Sequence, residues 1–199
     1  MKKVFIAAAL MGLFIACENK PQEDDHQGHA HHDDGSSHVA AEDAGDATEV
    51  HADFAISKHS EVEQVKAFYS EYLNLKNALV ANDKEASDKA VQNLQGLLNN
   101  DNFNSMEGRA SAVVSQMGSS LRSMDGESVE GKREELNTLS MSLFTMLKAA
   151  DHGVENAHLQ YCPMAFNDQG AYWVSDVKEI RNPYFGDKML KCGSVKESI

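Results

Sequence analysis

The chain has 199 residues, with 18 Lys and Arg against 31 Asp and Glu, and a formal net charge of −13. Such a chain lacks the basic face that binding to polyphosphate requires, which excludes nucleic acid as a partner. Its length beyond the N-terminal segments suits one domain able to bury its own core.

Residues 1–16 read as a signal peptide. Lys2 and Lys3 form a positive start, and Val4 to Ala16 is an apolar run of 13 residues. A permanent membrane helix needs about 20 such residues, so the run is an address and not a span. It ends in Leu13-Phe14-Ile15-Ala16-Cys17, which resembles a bacterial lipobox, with Phe14 where that pattern more often has Leu. The resemblance implies removal of residues 1–16 and acylation of Cys17, giving a lipoprotein held to a membrane by its acyl chains alone. Glu18 stands where inner-membrane lipoproteins usually carry Asp. The expected location is therefore the bacterial cell envelope, on the outer membrane facing the periplasm or at the cell surface.

Residues 17–56 read as a lipidated, acidic, His-rich tether. Positions 21–56 hold ten acids and no Lys or Arg, with Gly28, Gly35, Ser36, Ser37 and Gly45 scattered among them. Low apolar content and unbalanced charge predict a segment that does not fold. His26, His29, His31 and His32, with Asp33 and Asp34 beside the last pair, offer imidazole and carboxylate to Zn²⁺, Cu²⁺ or Ni²⁺. Their spacing fixes no geometry, so the tether is at most a weak scavenger. A purely solvated linker explains the same residues.

Residues 57–199 read as a mainly α domain. Val62, Val65, Tyr69, Tyr72 and Leu79 recur at helical steps, and Asn82-Asp83 supplies a break and a cap. Further stripes follow in Ala86 to Leu98, Ala110 to Leu121, and Leu136 to Leu147. Four helices with short connections predict a small antiparallel four-helix bundle. Met117, Met141 and Met146 lie on those stripes and are read as core.

The remaining residues read as a C-terminal Cys-Pro-Met β-hairpin and an irregular segment packed on the bundle. Gln160 to Phe166 suggests an extended run, Asn167 to Gly170 a turn, and Ala171-Tyr172-Trp173-Val174 a strand. In an extended run Cys162 and Met164 share a face, and in a helical turn Met189 and Cys192 do. Two thiols and two thioethers form a soft donor set suited to Cu(I), and His158 offers an imidazole nearby. The same two cysteines, alone once Cys17 is acylated, also fit a structural disulfide in an oxidising compartment. By spacing alone both readings stand.

Tyr161-Cys162-Pro163-Met164-Ala165, Gly170-Ala171-Tyr172-Trp173-Val174-Ser175 and the stretch from Glu179 to Gly193 resemble the domain of unknown function 3347 family, over roughly residues 58–197. This bacterial envelope family occurs as stand-alone lipoproteins and on periplasmic adaptors of copper and heavy-metal efflux pumps. The resemblance implies metal handling beside an efflux adaptor or pump, with Cys162, Met164, Met189 and Cys192 as ligands. His158 and the tether histidines are not part of the motif and rest on their chemistry alone.

Catalysis is not expected. There is no Gly-x-Ser-x-Gly elbow, no phosphate-cradling glycine loop and no Cys-x-x-Cys pair, and no organic cofactor or small-molecule substrate is indicated.

Overall fold

The computed structural model describes residues 49–150 and 154–199; Cys17, the expected lipidation site, and the tether residues His26, His29, His31 and His32 lie outside them. The described residues are mainly helical, with a three-stranded antiparallel sheet. None of their helices is long and apolar enough to cross a membrane.

Each long helix follows from its apolar stripe. α1 (His59–Val80) buries Val62, Val65, Phe68, Tyr69, Tyr72, Leu75 and Leu79. Asn82 then reverses the chain at φ 54°, a left-handed turn that Asn tolerates well. Asp83 caps α2 (Lys84–Leu98) by accepting from the Ala86 N–H at 2.9 Å. After α4 (Gly108–Met124), Ser128 caps α5 (Val129–Ala149) by accepting from the Gly131 N–H at 3.1 Å. α1 packs on α2 and α4 on α5, with further contacts of α2 with α4 and of α1 with α5. Met117 and Met146 are fully buried and Met141 packs at the core margin, as the stripes imply.

Two elements depart from the sequence expectation in the helical part. Asn99-Asn100-Asp101 reads only as a terminator, yet Asn100 caps a further short helix, α3 (Asp101–Asn104). Phe103 anchors it, buried edge-on against Phe68 with ring centroids 5.9 Å apart. The last tether residues also pack. Val50 and Ile56 are buried, the Ile56 N–H reaches the Ala149 carbonyl at 2.7 Å, and the Val50 N–H reaches Glu197 Oε2 at 3.1 Å.

The sheet is built around β1 (His158–Cys162), which pairs with β2 (Ala171–Ser175) on one side and β3 (Ser194–Ser198) on the other. Ala171 faces Cys162 and Trp173 faces Gln160. The outer edge of β2 is bonded by helix side chains: Tyr172 N–H donates to Asn137 Oδ1 at 2.8 Å, and Val174 N–H to the Tyr72 hydroxyl at 3.1 Å. β3 has no counterpart in the sequence reading. Five residues carrying Lys196 and Glu197 give too short and too polar an alternation to register as a strand.

The expected extended run from Gln160 to Phe166 ends at Cys162. Met164 is helical (φ −87°, ψ −5°) and leads into the four-residue turn Ala165–Asp168. Phe166, Asn167 and Asp168 have φ of 52°, 57° and 64°. Pro163 does not decide between the two outcomes, because its fixed φ suits the first position of a turn as well as a strand. Gly170 closes the connection at φ 77°, where a Cβ would lie 1.8 Å from the Tyr161 hydroxyl oxygen.

Candidate metal centre

Cys162 is the last residue of β1 and fully buried, while Cys192 lies half-buried in the turn preceding β3. Both are thiols, and their sulfurs are 2.8 Å apart across thirty positions of sequence. The two motifs singled out by their spacing therefore meet.

Several groups hold the Cys192 arm in place. Its N–H donates to the Met189 carbonyl at 3.0 Å, at the end of the 3-10 turn Gly186–Met189. Its carbonyl accepts from Asn182 Nδ2 at 2.9 Å, and the Asn182 N–H bonds Leu190 O at 2.8 Å. Asn182 Oδ1 in turn accepts from the Tyr184 N–H at 2.8 Å. Asn182 is fully buried, so it works as an internal bolt.

Arg133 fixes the same segment to the helices. From α5 it donates to Pro183 O at 2.6 Å, Leu79 O at 2.8 Å and Asn82 Oδ1 at 2.6 Å. Nothing in the spacing of α5 marks this arginine apart from its place on a largely buried face. Trp173 and Tyr184 pack edge to face at 6.0 Å, and the Tyr184 hydroxyl donates to the Tyr172 carbonyl. Gly193 lies beneath Trp173 at φ 142°; a Cβ there would come 2.7 Å from the indole and 2.8 Å from the Tyr161 carbonyl.

The remaining candidate ligands are placed unequally. Met164 is 48% exposed, and its backbone N–H faces the Cys192 sulfur. Met189 is half-buried and one hydrogen-bonded turn from Cys192. His158 is at the opposite end of β1, about 13 Å from Cys162 at the usual strand rise, with Nδ1 2.8 Å from Ser198 Oγ. Burial lowers the basicity of its imidazole, helped by the nearby Lys178 charge. The structure joins the sulfur motifs and leaves His158 away from them.

Burial pushes the Cys192 thiol up to about 11, aided by its hydrogen bond to Cys162 and by the neighbouring sulfur charge, while the Met164 N–H opposes the shift. The Cys192 thiol thus keeps its proton at neutral pH. Among the described residues, no three or more His, Cys, Asp or Glu side chains gather to hold a metal. An ion here would depend on two thiolates completed by thioether sulfur, a donor set that selects soft metals. With metal–sulfur bonds of about 2.3 Å, a 2.8 Å sulfur separation subtends only about 75° at the ion. Tetrahedral ligation needs the sulfurs about 1 Å further apart. The donor chemistry fits a soft ion once the more exposed Cys192 arm opens by that amount.

Residues 68–154 match the family model described as protein of unknown function (DUF3347). The match runs from within α1 to just before β1, a narrower span than the resemblance implied, and both sulfur motifs lie beyond it. No curated protein matches the chain. No solved structure matches it either.

Proposed function

We propose that this protein, which matches the DUF3347 family model over residues 68–154, is a lipid-anchored envelope protein that binds a soft metal ion, most favourably Cu(I). A four-helix bundle carries the site, Cys162 and Cys192 supply thiolates, and Met164 and Met189 add thioethers. Its role is accessory to metal efflux or tolerance, taking up the ion and passing it to an efflux adaptor or pump, without catalytic turnover. One observation carries the reading: two motifs thirty positions apart bring their sulfurs to 2.8 Å beside a solvent-exposed methionine.

Competition of the reduced protein with a chromogenic chelator for Cu(I), without oxygen, tests this. Cys192→Ser, and the double change Cys162→Ser with Met164→Leu, should each weaken binding at least about a hundredfold, because sulfur bonded to the ion is lost. His158→Gln should match wild type. Equal affinity in wild type and the double variant would end the proposal. The affinity should also rise with pH. Cys192 must lose its proton to bind, so each displaced proton adds about tenfold per pH unit, up to the thiol's own range near about 11. A flat profile between pH 6 and pH 9, in a competitor corrected for its own protonation, would contradict thiolate ligation.

The 2.8 Å separation also favours a second reading, in which Cys162 and Cys192 form a disulfide staple and the domain docks on an efflux adaptor or another envelope protein. Closing this 31-residue loop would contribute roughly 3–4 kcal/mol by the chain-entropy estimate. Thiol counting on the isolated protein separates the two: a fully oxidised pair resistant to mild reductant favours the staple.

A further inference from the structure

We propose that the Cys162–Cys192 dithiol reduces cupric ion, delivering two electrons to two Cu(II) and closing as a disulfide. The proposal rests on the soft-metal reading for its choice of copper, and extends it from binding to electron transfer. The balance is complete: two Cu(II) become two Cu(I), the two thiols become one sulfur–sulfur bond, and both thiol protons pass to solvent.

The geometry supplies what such a step requires. A disulfide sulfur pair is about 2.05 Å apart, and these sulfurs are already at 2.8 Å. The intervening loop is closed by the fold, through Asn182 on the Cys192 carbonyl and the Met189 turn on its N–H. No chain rearrangement is needed to bring the second thiol to the first, so the second electron comes from the same chain and not from another molecule. Access is one-sided. Cys162 is fully buried, Cys192 is half-buried, and the exposed residue Met164 sets its backbone N–H against the Cys192 sulfur, so copper meets Cys192 first.

The outcome for the ion depends on its oxidation state on arrival. Cuprous ion displaces protons and stays on the thiolates. Cupric ion consumes those thiolates as it is reduced, which leaves the product Cu(I) with thioether sulfur only. Thioether is the weaker partner, so the reduced ion passes to any stronger acceptor at hand. Reduction and release are thus one event.

The test uses the reduced full-length protein carrying Cys17→Ser, so that Cys162 and Cys192 are its two thiols, without oxygen, with two equivalents of cupric sulfate and an excess of a Cu(I)-specific chromogenic chelator. Wild type should yield two Cu(I) per chain, and intact mass should fall by two hydrogens without dimer formation. Cys192→Ser, checked for an unchanged helical spectrum and unfolding midpoint, should reduce Cu(II) at least about a hundredfold more slowly, since only an intermolecular partner remains. Reduction by Cys192→Ser at the wild-type rate, or wild-type thiols left intact, would overturn the proposal. A separate titration with Cu(I) keeps the two claims apart. Tight Cu(I) binding without Cu(II) reduction refutes the electron transfer alone, whereas Cu(II) reduction without Cu(I) binding sustains it and refutes the binding role.

Discussion

Replacing Gly193 with alanine should cost about 3 kcal/mol of stability, combining an unfavourable backbone region with overpacking. That corresponds to a fall of roughly 10 °C in unfolding midpoint for a domain of this size. The reason lies in the geometry at φ 142°: the new Cβ would sit 2.7 Å from the Trp173 indole and 2.8 Å from the Tyr161 carbonyl. Neither neighbour can yield easily. Trp173 is fully buried against Tyr184, and the Tyr161 carbonyl belongs to the central strand. The adjacent residue is Cys192, so relief of the clash disturbs the turn that carries its sulfur, and on the proposed function Cu(I) affinity should fall with stability. Gly96 provides the contrast. It lies in α2, where an added Cβ would meet nothing within 4 Å, so Gly96→Ala should gain up to about 1 kcal/mol from helix propensity. Equal effects at the two glycines, measured by thermal unfolding, would remove the case for a close approach at Gly193.

Arg133→Met should cost about 3–5 kcal/mol, the range for removing one partner from a buried charged contact. Three acceptors lose their donor together: the carbonyls of Pro183 and Leu79 and the side chain of Asn82. The loss has a distinctive pattern, because Pro183 adjoins Asn182, and Asn182 holds Cys192. Amide exchange over residues 180–193 should therefore accelerate more than exchange in α1 or α4. Lysine at this position has one compact head group and cannot reach three divergent acceptors, so Arg133→Lys should recover only part of the stability. A loss below about 1 kcal/mol, or uniform acceleration throughout the domain, would show that Arg133 does not clamp this segment.

The helical part is legible in the sequence because its information is local. Val65, Tyr72, Leu79 and the later stripes repeat at the helical period, and these three residues are buried. Asp83 announces its cap in the same way. What the sequence conceals is long-range or conditional. Phe103 anchors α3 only because Phe68 waits for it, and β3 exists because the central strand offers it an edge. The Cys-Pro-Met run reads as extended because proline's φ serves turn and strand alike, and the turn depends on three successive left-handed residues, of which Asn167 and Asp168 tolerate that region but Phe166 does not favour it. The site divides along the same line. Cys162 and Cys192 can be picked out by chemistry, but their contact needs Asn182, Arg133 and Gly193, whose roles arise only from the folded arrangement. His158 has the right chemistry and the wrong end of its strand. The tether reading fails at its margin, where Val50 and Ile56 are buried.

Charge supports the picture of a site governed by protonation. The Cys192 thiol is raised to about 11 chiefly by burial, and the one group that favours its thiolate is a neutral backbone N–H, that of Met164. A soft ion must displace a proton that the fold otherwise retains, which favours tight binders of thiolate over hard cations.

Copper K-edge X-ray absorption of the Cu(I)-loaded protein, prepared without oxygen and desalted, addresses the convergence of the sulfur motifs most directly. The atoms bonded to copper should be sulfur alone, two or three of them at about 2.3 Å, and Cys192→Ser should lose one. A shell of nitrogen and oxygen, or copper that washes out during desalting, would contradict a metal centre at Cys162 and Cys192.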